Sequence, residues 1–142
     1  MLKRLFYFAY FPLLVYVVWL FPGEAKPYVT INLVPLKTIR LYLTAFIHGY
    51  APAYIIIGNL IGNIVLFIPI GTLLFNHLRH IGTMIILFFS LYIPFYIEFV
   101  QLLLHLAGYG TRSIDIDDVL LNMLGIWIGY LAASLVWTDR SS

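Results

Sequence analysis

The sequence predicts an all-α polytopic membrane protein: a bundle of four transmembrane helices, with an amphipathic interfacial helix between the first and second. Three observations carry this prediction. Hydrophobic residues make up 63% of the chain and charged residues only 10%, where soluble domains carry about a quarter charged. The few charges are spaced so that long apolar stretches separate them. The polar residues near the ends of those stretches recur at helical intervals. A soluble enzyme, a disordered chain and a secreted disulfide scaffold are excluded by the same composition. The chain has no cysteine, so thiolate metal sites are excluded too. A net charge of +2, scattered along the chain, predicts no nucleic-acid partner.

The charges serve as rulers. No Asp, Glu, Lys or Arg lies between Arg4 and Glu24, Arg40 and Arg79, Arg79 and Glu98, or Asp118 and Asp139. A helix needs roughly 20 apolar residues to cross a bilayer. The first gap gives a span over about 5–21. The second gap is too long for one crossing and is punctuated by Gly49-Tyr50-Ala51-Pro52. The remaining spans fall at about 53–75, 81–106 and 116–137, within a single domain of residues 1–142. Lys3, Arg4 and Gly23-Glu24-Ala25 also loosely fit a cleavable signal peptide. The length and aromatic content of the first stretch favour an anchor.

Residues of about 35–50 read as the interfacial helix. Leu36, Ile39, Leu43, Phe46, Ile47 and Tyr50 recur at helical spacing, with Lys37, Arg40, Thr44 and His48 on the other face. A re-entrant or packing segment is the alternative. Basic residues divide evenly between the two sides of the membrane. The basic flank of the first span therefore decides orientation, placing both termini in the cytoplasm.

The expensive residues gather at one end. Asn59 and Asn63 begin the second span, Glu98, Gln101 and His105 end the third, and Asp115, Asp117, Asp118 and Asn122 begin the fourth. Alternating span direction puts all of these on one side, whichever way up the protein sits. Asn59, Asn63, Glu98 and Asn122 fall roughly 5–15 Å below that surface by helical rise. Asp115, Asp118, Asn122, Gly125, Gly129 and Ala133 form one stripe, as do Pro94, Glu98, Gln101 and His105. Asp117 lies off the stripe, facing water or capping the start of the fourth span. Gly58 with Gly62, and Gly125 with Gly129, read as packing notches; the latter pair could serve a homodimer instead. Pro69 with Gly71 reads as a kink, and His105 as a solvated tip.

Glu98 is the most costly of these groups in hydrocarbon, and must be protonated, paired or wetted. Arg112 is its natural partner and equally suits phosphate, while Asp115 and Asp118 compete for the same cation. The excess of acid predicts a raised acid pKa, a divalent cation held by Glu98, Asp115 and Asp118, or a cationic substrate group. A buried ion-pair network that fixes helix register is the structural alternative.

The string Asn59, Asn63, Phe67-Ile68-Pro69-Ile70-Gly71, then Glu98-Phe99-Val100-Gln101, then Arg112-Ser113-Ile114-Asp115-Ile116-Asp117-Asp118 with Asn122 and Gly125, resembles the VanZ-like family. Asn32-Leu33-Val34-Pro35-Leu36-Lys37-Thr38-Ile39 resembles the family's first-loop motif. The resemblance implies a bacterial cytoplasmic-membrane protein related to one associated with low-level teicoplanin resistance. Its signature positions here are Asn59, Asn63, Pro69, Gly71, Glu98, Gln101, Arg112, Asp115, Asp118 and Asn122.

Together these readings predict an outward-facing site for the polar head of a lipid or lipid-linked envelope precursor. Arg112 and Lys37 would hold phosphate, while Asn59, Asn63, Gln101 and Asn122 would hydrogen-bond sugar or peptide. Glu98, Asp115 and Asp118 would act as acid and base or bind a divalent ion. No Ser-His or Cys-His pair has a suitable context, which argues against a serine-type hydrolase. A non-catalytic shielding or scaffold module and a small dimeric transporter are the other classes.

Overall fold

The computed structural model describes residues 2–20, 28, 30–109 and 113–141, with side chains described for 5–20, 28, 30–109 and 113–137. The chain runs as α1 (Leu2–Val15), continued by a π-helical turn over Tyr16–Leu20, then β1 (Ile31–Asn32) and α2 (Lys37–Ile47). It goes on through α3 (Ala53–Leu78), α4 (Thr83–Leu106), β2 (Ile114–Asp115) and α5 (Ile116–Ser141). Ala53–Leu78, Thr83–Leu106 and Ile116–Trp137 are long and apolar enough to cross a membrane, and Leu5–Leu20 is a shorter apolar helix. The protein is thus an all-α membrane protein with three long spans. The first of the four expected spans is the shorter helix.

These helices are built inside out relative to a soluble bundle. On α4, Ser90, Pro94, Glu98, Gln101 and His105 are buried, while Phe88, Tyr92, Phe95, Tyr96, Phe99 and Leu103 are exposed. Lipid tails tolerate apolar surface, so the polar stripe is the face that must find protein. The exposed face also stacks its own rings, Phe88 on Tyr92 and Tyr92 on Tyr96.

The tightest packing joins α3 to α5 through small residues. A Cβ added to Gly125 or Gly129 would strike the Ile64 or Ile68 carbonyl of α3, and one on Gly71 would strike the Ile126 carbonyl of α5. Only glycine lets the two backbones approach this closely. Gly125 and Gly129 are therefore notches within the protein, as their spacing predicted, and Gly71 is a third. Gly58 and Gly62 are not notches: nothing lies within 4 Å of a Cβ at either. At the far end Arg79 of the α3 C-cap lies over the Trp137 ring of α5, 3.6 Å from its centroid, a cation–π contact that ties the two ends.

Pro69 inside α3 has no backbone donor for the helix ladder, and α1 fastens beside it. Thr72 Oγ1 donates to the Pro69 carbonyl (2.8 Å), so Tyr7 OH donates to Thr72 Oγ1 (2.7 Å). Tyr10 OH donates to the Leu66 carbonyl (2.6 Å). The π turn that ends α1 offers its Val18 carbonyl to Gln101 Nε2 of α4 (3.3 Å). Tyr10, Leu14 and Val18 close the core against Phe67, Ile70 and Ile97.

Helices α2 and α4 stop the same way. Gly49 (φ 67°) and Gly108 (φ 85°) adopt the left-handed conformation, and Tyr50 and Tyr109 donate back to the Ala45 and Leu104 carbonyls. This closing turn requires glycine at the left-handed position. In α2, Thr38, Ile39, Tyr42 and Ala45 are half-buried, whereas Leu41, Leu43, Phe46 and Ile47 are exposed.

Candidate functional site

The start of α3, the end of α4 and the start of α5 meet, as alternating span direction predicted. The Asp115 N–H donates to Glu98 Oε2 (3.0 Å), and Asn63 Nδ2 donates to Asp118 Oδ1 (2.6 Å). A feature outside the helices completes the cluster. β1 pairs in parallel with β2, Ile31 opposite Ile114 and Asn32 opposite Asp115. This short ladder lays the segment before α2 across the start of α5.

Asp115 organises that junction. Its Oδ1 accepts Asn32 Nδ2 (2.9 Å) and the Asp117 N–H (2.9 Å), and its Oδ2 accepts the Thr38 hydroxyl (2.5 Å). The bond to Asp117 is an N-cap for α5, satisfying one of the backbone donors that a helix start leaves open. Asp117 itself is fully buried, 0% exposed, so it neither faces water nor caps its own helix. Its Oδ1 accepts the Leu36 N–H (2.5 Å), and its Oδ2 the Thr38 and Ile39 N–H groups (2.7 and 3.1 Å). It caps α2 from across the chain. The helix start needs this help, because Leu36 there is left-handed (φ 64°) and offers no side-chain cap.

Other expected positions resolve individually. Asn122 (3% exposed) and Gln101 (8%) are buried, and Asn122 Oδ1 and Gln101 Oε1 have no hydrogen-bond partner. His105 is also buried, its Nδ1 without a partner, so it is not a solvated tip. Asn59 is exposed and donates to its own Ile55 carbonyl (2.8 Å), so only Asn63 of the pair turns to the bundle. Arg112 lies outside the described residues. Among the described residues no three His, Asp or Glu side chains converge to hold a metal ion. Glu98 is bonded to the Asp115 N–H and Asp118 to Asn63, so the described acids are held by separate donors.

Two clefts open on this cluster. The first, about 430 Å³, is polar and lies under α2, lined by Asn32, Lys37, Thr38, Tyr42, Ser113 and Asp115, among others. The second, about 460 Å³, runs between α1 and α3 with apolar walls and a floor that includes Asn63, Glu98, Gln101 and Asn122. Asn59 and Asp118 line both. The Tyr42 hydroxyl is pushed above the usual tyrosine value, because burial disfavours the phenolate and the Asp118 and Asp115 carboxylates repel it. It therefore faces the polar cleft as a neutral hydroxyl. Sequence reasoning missed Asn32, Thr38, Tyr42 and Ser113 as lining groups. Asn32 and Thr38, polar residues flanking the turn into an amphipathic helix, were the available signal.

The fold and the site define a class: a polytopic helical membrane protein that collects buried polar side chains at one end of its helices. Residues 6–137 match the family described as VanZ/LLP1, and the chain belongs to that family. No curated protein and no solved structure matches it.

Proposed function

We propose that this protein is a receptor for the polar head of a membrane amphiphile, a lipid or lipid-linked envelope precursor, in the bacterial cytoplasmic membrane. The site faces outward and both termini are cytoplasmic. The observation that carries the reading is the pair of adjoining clefts, one polar and one apolar-walled, sharing Asn59 and Asp118. An amphiphile needs both environments side by side. Lys37 offers a cation to phosphate, and the Thr38, Tyr42 and Ser113 hydroxyls with Asn32 and Asn59 offer hydrogen bonds to the rest of the head.

Binding fits the carboxylates better than catalysis does. Asp115 and Asp117 accept backbone, amide and hydroxyl donors that hold α2 in place, and spending those oxygens on a reaction would undo the site. Asp115 lines the polar cleft with its oxygens already taken, and Asp118 and Glu98 are the acids of the α1–α3 cleft. Native mass spectrometry of gently solubilised protein tests the reading. Wild type should retain a lipid that Lys37→Ala and Asp118→Asn release; equal retention by all three rejects it. If the amphiphile is a cell-wall precursor, wild-type expression raises tolerance to teicoplanin and Asp118→Asn does not. Equal tolerance in the two strains removes the resistance link.

A further inference from the structure

The floor of the α1–α3 cleft has a hydrogen-bonding sense that the polar cleft does not. Gln101 Nε2 donates to the Val18 carbonyl, which orients the amide and leaves Oε1 as a buried acceptor with no partner. Asn122 Oδ1 is a second such acceptor, on a side chain only 3% exposed. The Glu98 and Asp118 carboxylates stand beside them and accept from Asp115 N–H and Asn63 Nδ2. A buried acceptor without a donor is unfavourable, so the floor calls for a ligand that donates.

The walls call for hydrocarbon. Phe6 and Leu13 of α1 and Val17 of the π turn line the cleft with Val65 and the Gly58–Gly62 stretch of α3. The two glycines meet no neighbour, in contrast to the glycines packed at the α3–α5 seam, and so leave a groove along the α3 backbone. A cleft of about 460 Å³ falls within the range of small-ligand sites.

We infer that the α1–α3 cleft holds the chain of a single-chain amphiphile that carries a hydroxyl beside the root of its chain, as a monoacyl glycerolipid does, and that this hydroxyl donates to one of the two buried acceptors, Gln101 Oε1 or Asn122 Oδ1. The inference rests on the reading above for the place of the headgroup, in the polar cleft beyond Asn59 and Asp118. A diacyl lipid is a poor fit, because it sets an ester at that position. Ester oxygens only accept, so an ester leaves the Gln101 and Asn122 oxygens without a donor.

The test is a native mass-spectrometric titration in mild detergent with 1-acyl-2-hydroxy-phosphatidylglycerol, its 2-O-methyl ether and the diacyl lipid. Wild type should bind the hydroxy lipid roughly tenfold or more tightly than the ether, the discrimination expected of one buried hydrogen bond. Gly62→Leu and Gly58→Leu fill the groove from open space, so each should fold as wild type does and lose the hydroxy lipid. Equal affinity for hydroxy lipid and ether would assign the two acceptors to water and overturn the inference. Unchanged binding by folded Gly62→Leu would overturn it as well, as would no binding of the hydroxy lipid to wild type. Lys37→Ala reads the headgroup separately. A fall in affinity for all three lipids supports both readings. No effect there, with loss in Gly62→Leu, removes the headgroup reading and leaves the chain site standing.

Discussion

Asp117 does more for this site than any residue that lines it. One carboxylate receives three backbone N–H groups from the start of α2, and with them holds Leu36 in a conformation that leucine otherwise avoids. Asp117→Ala should destabilise the protein by about 2 kcal/mol, from a lost cap and newly unsatisfied donors; thermal unfolding in detergent measures it, and an unchanged midpoint would show that the cap carries nothing. Tyr42 gives a second prediction at this scale. Its folded-state pKa is raised, by burial first and by Asp118 and Asp115 next, so its contribution to stability is complete below pH 10.0, the ordinary tyrosine value. Above that pH the unfolded chain gives up the proton first, and stability falls until the folded-state value is passed. Tyr42→Phe should flatten that alkaline loss, which unfolding curves taken at rising pH would show. The sequence marked Asp117 as the acid out of phase with its neighbours, yet could not say what it served. Its partners are backbone groups some eighty positions away, and backbone donors leave no mark in a sequence.

Among the elements, α3 and α5 form the rigid pair on which the rest is hung. Gly71, Gly125 and Gly129 set its spacing, and a branched side chain at the seam must push the backbones apart. Gly129→Val should cost about 3 kcal/mol, whereas Gly62→Leu on the open side of α3 should be neutral or slightly stabilising, since glycine is a poor helix former. Comparing their unfolding midpoints decides whether the seam or the motif matters; equal loss in both would contradict the packing described. Both pairs have the same i, i+4 glycine spacing, and only the neighbouring helix distinguishes them. The helix bounds were far more legible. Charges at Arg79 and Asp139, and the Gly-Pro punctuation near residue 50, bracket the apolar runs, because ionised side chains and freed backbone groups both belong outside hydrocarbon. The π turn that ends α1 had no such marker, and neither did the two-residue pairing of β1 with β2, too short for any periodicity to announce.

For the whole molecule, the claim that matters is that the polar cluster occupies one side of a membrane. The start of α3, the end of α4 and the start of α5 are joined by hydrogen bonds, while the turn between α3 and α4, with Arg79 against Trp137, lies at the other end. The absence of cysteine from the sequence makes this directly measurable, since any introduced thiol is the sole target. His48, His80 and Tyr109 are exposed positions in turns, and cysteine at each should leave the fold intact. A membrane-impermeant maleimide applied to intact cells should label His48→Cys and Tyr109→Cys, and His80→Cys only after the membrane is opened. Labelling of His80→Cys alone in intact cells would keep the architecture and invert it, turning the polar clefts to the cytoplasm and removing the outward-facing receptor. Labelling of His80→Cys and Tyr109→Cys from the same side would mean that α4 does not cross. The buried stripe of Glu98, Gln101 and His105 would then need another reason to be buried, and the case for a membrane-level site would fall with it.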